Sequence, residues 1–169
     1  MTSRIRRPEL NLTNAQGLLT NDHFQIAYAT NDIERALAQF KELGIHQIRR
    51  LEGKMAAGGY IRVELAWMGN TLYELITAEG PGSDLYMKAL PDADFAFRLH
   101  HLGFLIYTKA QWLTLQTTVA KQGWPLLSEN IDHGFMRHCF VDIPPLGHYL
   151  EFIWPEAAGL AYFAKVPAN

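Results

Sequence analysis

The chain has 169 residues, 49% of them hydrophobic and 12% aromatic, with only 19% charged; this is enough apolar mass for a sizeable core and excludes a disordered chain. Fifteen basic against seventeen acidic residues leave a formal charge of -2, so no electrostatic footprint for nucleic acid or a lipid surface is present. Cys139 is the only cysteine, which excludes an intrachain disulfide and makes a reducing, cytoplasmic setting the expectation.

Residues 1–19 read as an N-terminal arm. Its arginines, Arg4, Arg6 and Arg7, have no apolar segment behind them, so it is not expected to be a secretory signal. No stretch approaches the roughly 18 consecutive apolar residues of a membrane span. DHFQIAYAT (22–30) predicts a strand. NDIERALAQFKELG (31–44) predicts a helix with Asp32 as N-cap, apolar residues at three-to-four spacing, and Gly44 as its stop. HQIRRLEG, a Gly58-Gly59 turn, YIRVELAWM, a Gly69-Asn70 turn and TLYELITA predict three further strands. This first module covers 20–80. A linker with a short helical run follows over 81–96.

The same order then returns over 97–156, leaving 157–169 as a C-terminal tail. HHLGFLIY is a strand, KAQWLTLQTTVAKQGW a helix closing on Gly123, and strands lie in WPLLSEN, FMRHCFVDI and HYLEFIWP. The repeat can be counted. His23 to Glu74 spans 51 positions and His101 to Glu151 spans 50. Each half opens its first strand with a histidine and carries a glutamate within its last. The fold class is therefore α+β, built from two repeated βαβββ modules.

Side chains alternate along a strand. Glu74 then shares a face with Leu72 and Ile76, and Glu151 with Tyr149 and Ile153. A carboxylate in such surroundings costs several kcal/mol unless something compensates it, and neither strand offers a neighbouring Arg or Lys. One divalent cation compensates both. His23, Glu74, His101 and Glu151 form a nitrogen-and-oxygen donor set of charge -2, suited to Mn, Fe(II), Co, Ni or Zn. His100 falls on the face opposite His101 as a hydrogen-bonded neighbour, although a one-residue shift of frame would exchange the two. His148 lies opposite Glu151 and reads as packing, and His46 as solvated. Gln25, His138 and Tyr149 are candidates for substrate contact. His133, like His138, has no repeat partner.

DHFQIAYATNDIERALAQF, LYELITA, LHHLGFLIY and LGHYLEFIWP, in this order and spacing, resemble the vicinal-oxygen-chelate superfamily, which includes glyoxalase I, methylmalonyl-CoA epimerase, extradiol dioxygenases and bleomycin-resistance proteins. GPGSDLYMKAL followed by LHHLGF is similar to its glyoxalase-like branch. The resemblance covers roughly 20–156. It implies that the two modules form an incomplete cupped barrel with the metal in the cup, held by His23, Glu74, His101 and Glu151. It also implies a homodimer, this being the family's habit.

The implied chemistry is Lewis-acid stabilisation of an enolate or enediolate on a small oxygen-chelating, apolar substrate, with Glu74 and Glu151 as the catalytic residues that move the proton. That describes a divalent-metal-dependent isomerase, epimerase or lyase. The alternative is a metal-free protein of the same fold that sequesters a small molecule. An extradiol dioxygenase is disfavoured, because Glu74 as a fourth ligand occupies a position that chemistry needs open. The sequence also departs from the resemblance. FQIAYA lacks the arginine of glyoxalase I, and Glu74 stands where the epimerase tends to place glutamine.

Overall fold

The computed structural model describes residues 17–132 and 134–169. His133 and residues 1–16 of the N-terminal arm lie outside them. The first module runs β1 (Asp22–Thr30), α1 (Ile33–Glu42), β2 (Arg49–Lys54), β3 (Tyr60–Met68) and β4 (Thr71–Glu79). A single turn of helix, α2 (Asp84–Met87), joins it to β5 (Phe97–Leu105), α3 (Lys109–Gln122), β6 (Leu126–Asp132), β7 (Met136–Asp142) and β8 (Tyr149–Pro155). The chain ends with α4 (Ala157–Phe163).

Local chemistry sets the helix ends. The Asp32 carboxylate accepts from the Arg35 amide at 3.0 Å and caps α1. Thr108 and Gln111 form a reciprocal capping box on α3. Gly123, at φ 67°, supplies the left-handed residue that ends α3.

All eight strands form one sheet in the order β2-β3-β4-β1-β5-β8-β7-β6. Within each module the first and last strands pair in parallel, β1 with β4 and β5 with β8. The modules join along the antiparallel seam of β1 and β5. This is the expected α+β architecture, an incomplete barrel of two βαβββ halves curled into a cup.

The outer face of the first half packs on α1 through Ile33, Ala36, Phe40 and Leu75. That of the second packs on α3 through Trp112, Leu115, Phe104 and Phe152. The inner face carries a third cluster, with Phe24, Val63, Leu65, Leu72, Ile76 and Ile153. Cys139 is a fully buried thiol in the second-half core. Residues 157–169 do not trail free. Val166 is buried in the inner cluster, and the Trp67 amide donates to the Pro167 carbonyl at 2.8 Å. Among the described residues no helix is long and apolar enough to cross a membrane.

Candidate functional site

The seam departs from regular pairing twice, and both departures shape the site. Between His23 and Gln25 the register slips, so Phe24 is an extra residue of β1 facing the pair Gly103–Phe104. The bulge re-aims the side chains on either side of it. Phe24 joins the inner cluster and Gln25 is buried beside it. His23 turns to the other side, exposed, its ring 5.2 Å from that of Phe104. His23 is therefore not brought to the other expected ligands, and the side chain that meets them from β1 is Gln25.

The second slip makes His100 the extra residue of β5, between Leu99 and His101. Strict alternation would place the two histidines on opposite faces. The bulge puts both rings on the inner side, with Nδ1 of His100 2.8 Å from Nδ1 of His101. His100 Nε2 lies 3.0 Å from the Leu85 carbonyl of α2, and its ring stacks on Tyr86.

Four side chains meet on the floor of the cup. The Gln25 amide donates to the Glu74 carboxylate and its Nε2 lies 3.2 Å from Nε2 of His101. That same nitrogen of His101 is 3.0 Å from Oε2 of Glu151. Two small residues space the four. Ala27 is the ladder partner of both Glu74 and His101, and Gly103 is the partner of both Gln25 and Glu151. Gln25 stands two residues before Ala27, and His101 two before Gly103, so each module contributes the same half-pattern. All four are buried.

The burial sets the charges. Glu74 is pushed up to about 8, chiefly by burial, with Glu151 adding to the rise while His101 and Gln25 oppose it. Burial would also raise Glu151, but the His101 imidazolium beside it holds its carboxyl below the ordinary value. For His101 the Glu151 carboxylate outweighs burial and raises the ring's proton affinity. Burial and the neighbouring His101 take His100 down to about 4.

Above this floor lies a cavity of about 830 Å³. Val63, Leu65, Met136, Phe140 and Ile153 form its walls, while the exposed Glu52, Lys54, Lys88 and Glu129 stand at its rim. Of the remaining expectations, His138 lines the cavity with a buried Nδ1 that has no hydrogen-bond partner among the described residues. Tyr149 is buried against the rings of His100 and Phe140. His148 bonds the Leu146 carbonyl of its own turn, and His46 is exposed. Sequence reasoning missed Tyr86. Burial first, and then Glu151 and Glu74, raise the proton affinity of its phenol, and it lines the cavity from the segment read as linker.

No family model and no curated protein matches the chain. Solved structures do. Methylmalonyl-CoA epimerase from Mycobacterium tuberculosis superposes with a TM-score of 0.59 at 15% identity, covering 89% of this chain and 97% of that one. A variant of the Streptomyces coelicolor methylmalonyl-CoA epimerase, solved with 2-nitronate-propionyl-CoA, gives 0.54 at 14% identity, covering 81% and 99%. A hypothetical protein from Bacillus halodurans C-125 gives 0.52 at 17%, covering 80% and 95%. The chain has the vicinal-oxygen-chelate fold.

In this vicinal-oxygen-chelate cup the donors fit a divalent cation once Gln25 is counted. Among the described residues no three His, Cys, Asp or Glu side chains alone form a metal-binding group. The amide of Gln25 is the link between Glu74 and His101, and its Oε1 is buried without a partner among the described residues. Turning the amide over exchanges Oε1 and Nε2 and presents an oxygen to the centre of the set. One amide oxygen, one imidazole nitrogen and two carboxylates carry charge -2, which a dication neutralises.

Proposed function

We propose that the chain is a divalent-metal-dependent enzyme that moves a proton on the carbon beside a carbonyl, as an epimerase, isomerase or lyase. The single observation carrying this reading is the meeting of Gln25, Glu74, His101 and Glu151 on the buried floor of an open cup. The epimerases that share the fold support the proton-transfer class. When bound, the cation supplies Lewis acidity to chelating oxygens and makes the adjacent C–H acidic.

The chain's own residues do the rest. Glu74 and Glu151 stand on β4 and β8, which flank the seam from opposite sides. One carboxylate takes the proton at one flank, and inversion follows when the other, having taken a proton from solvent, returns it to the carbon at the opposite flank. Return from the same side to a neighbouring atom isomerises instead. In the metal-free chain the burial that raises Glu74 leaves it holding a proton near neutrality, and that proton departs when the cation binds. The apolar walls fit a substrate with a small chelating head and an apolar body. Beyond the donors, charged side chains stand at the exposed rim, and Arg49 lies over the ring of Tyr162, which lines the cavity.

Metal content by plasma mass spectrometry on untagged protein tests this, beside Glu74→Gln and His101→Ala. The expected result is about one transition metal per chain, lost in both variants. Solvent-deuterium exchange into 2-oxo acids, hemithioacetals and acyl thioesters would then follow by NMR. A wild-type protein that takes up no metal on reconstitution would overturn the enzyme reading. The cup would then be read as a small-molecule sequestering site.

A further inference from the structure

The two adjacent histidines in the middle of β5 are linked by hydrogen bonds to a backbone carbonyl outside the sheet. A carbonyl oxygen only accepts, so at 3.0 Å from Leu85 O the Nε2 of His100 carries a hydrogen. A neutral imidazole has one N–H, which leaves Nδ1 of His100 as an acceptor. That acceptor lies 2.8 Å from Nδ1 of His101, so His101 Nδ1 carries the donated hydrogen. The nitrogen of His101 left to face Gln25 and Glu151 is Nε2.

His100 has no freedom to break this chain. It is 4% exposed, stacked on Tyr86 with ring centroids 5.4 Å apart and edge-on to Phe140 and Tyr149. No carboxylate lies within hydrogen-bond distance of it among the described residues. Its inward aim comes from the bulge that makes it the extra residue of the seam.

We propose that His100 is a positioning residue: through the Leu85 carbonyl of α2 it holds His101 with hydrogen on Nδ1, so that Nε2 alone faces the donor set on the floor of the cup. This rests on the reading of that set as a metal centre. The partner of a metal-binding imidazole's second nitrogen sets its tautomer and orientation. Here that partner is the preceding residue, and the connection runs on into α2. The segment between the modules therefore takes part in the site that both modules share.

The first test is made on metal-free wild-type protein labelled with ¹⁵N, from long-range ¹H–¹⁵N correlations of the imidazoles. We expect His100 as the Nε2–H tautomer and His101 with hydrogen on Nδ1. His101 seen with hydrogen on Nε2 alone would overturn the proposal. The second test titrates Co(II) into His100→Phe, which keeps the ring stack and removes both nitrogens, and His100→Gln, which restores an acceptor. Affinity should fall about ten- to a hundred-fold in the first and recover in part in the second. Unchanged affinity in His100→Phe would also overturn it. If His100→Phe does not fold, the wild-type spectrum decides. Wild-type protein that shows the expected tautomers yet binds no metal would uphold the relay and count against the metal-centre reading alone.

Discussion

A Cβ added at Gly103 would stand 2.7 Å from Cβ of Gln25 and 3.1 Å from its Oε1. The glycine thus makes room for the amide that completes the donor set, and it does so between Gln25 and Glu151. His23, two residues earlier and exposed, sits outside that space. The two side chains therefore differ sharply in what their loss should do. Gln25→Ala should weaken metal binding by about ten- to a hundred-fold, the loss of one ligand or close partner, and should free Glu74 from its amide partner. His23→Ala should leave affinity within about two-fold, because surface substitutions away from such features act weakly. Competition with a chromophoric chelator measures both. The reverse ranking would return the site to the histidine.

At the scale of elements, most of the fold was legible because each strand and helix announces itself locally. β1 and β3 begin and end where their apolar runs do, and Asp32, Gly123 and the doubled strand order are visible in one dimension. The site was half legible. Glu74 and Glu151 follow from alternation within regular strands, and His101 from alternation in the part of β5 that follows its bulge. Gln25 does not. It lies 49 positions from Glu74 and His23 lies 51, while the second module spans 50, so counting cannot choose between them. The choice is made by a bulge, and a bulge arises from pairing with the neighbouring strand. The same limit hid the inward turn of His100 and the role of Tyr86, whose segment looks like linker until α2 folds over β5. The C-terminal residues were hidden for a related reason, since their partners lie a hundred positions away. Deleting 164–169 removes the buried Val166, two backbone bonds to Trp67 and the side-chain Oδ1 of Asn169 that accepts from the His46 and Gln47 amides. That should cost about 2–4 kcal/mol, or roughly 5–15 °C in Tm. A calorimetric Tm within a degree of the full chain would show that the segment contributes nothing.

For the whole molecule, the central fact is that two carboxyl groups, one imidazole and one amide share one buried floor drawn equally from both halves. Metal-free, the floor balances its own charge near neutrality. Glu74 holds a proton, and the raised proton affinity of His101 favours an imidazolium paired with the ionised Glu151. Taking up a dication restores that balance only if the protons of Glu74 and of His101 Nε2 leave. Metal binding should therefore release up to two protons per chain between about pH 6 and 7, with affinity climbing steeply through that range and levelling off above the Glu74 value of about 8. Stability should follow the same linkage. Glu74 and His101 bind protons more tightly folded than unfolded, so their contribution to the metal-free chain is lost as pH rises through their folded values. Glu151 acts oppositely, its contribution being lost only as pH falls towards its lowered value. The metal-free Tm should thus drop from pH 6 to 8, while the gain in Tm on adding metal should widen. His100, His138 and Tyr86 face the same floor, so the His138→Ala and Tyr86→Phe variants serve as controls for their share. Calorimetry in buffers of different ionisation enthalpy counts the protons directly. Release of none, with a metal-induced Tm gain independent of pH, would mean that the four donors do not hold the cation.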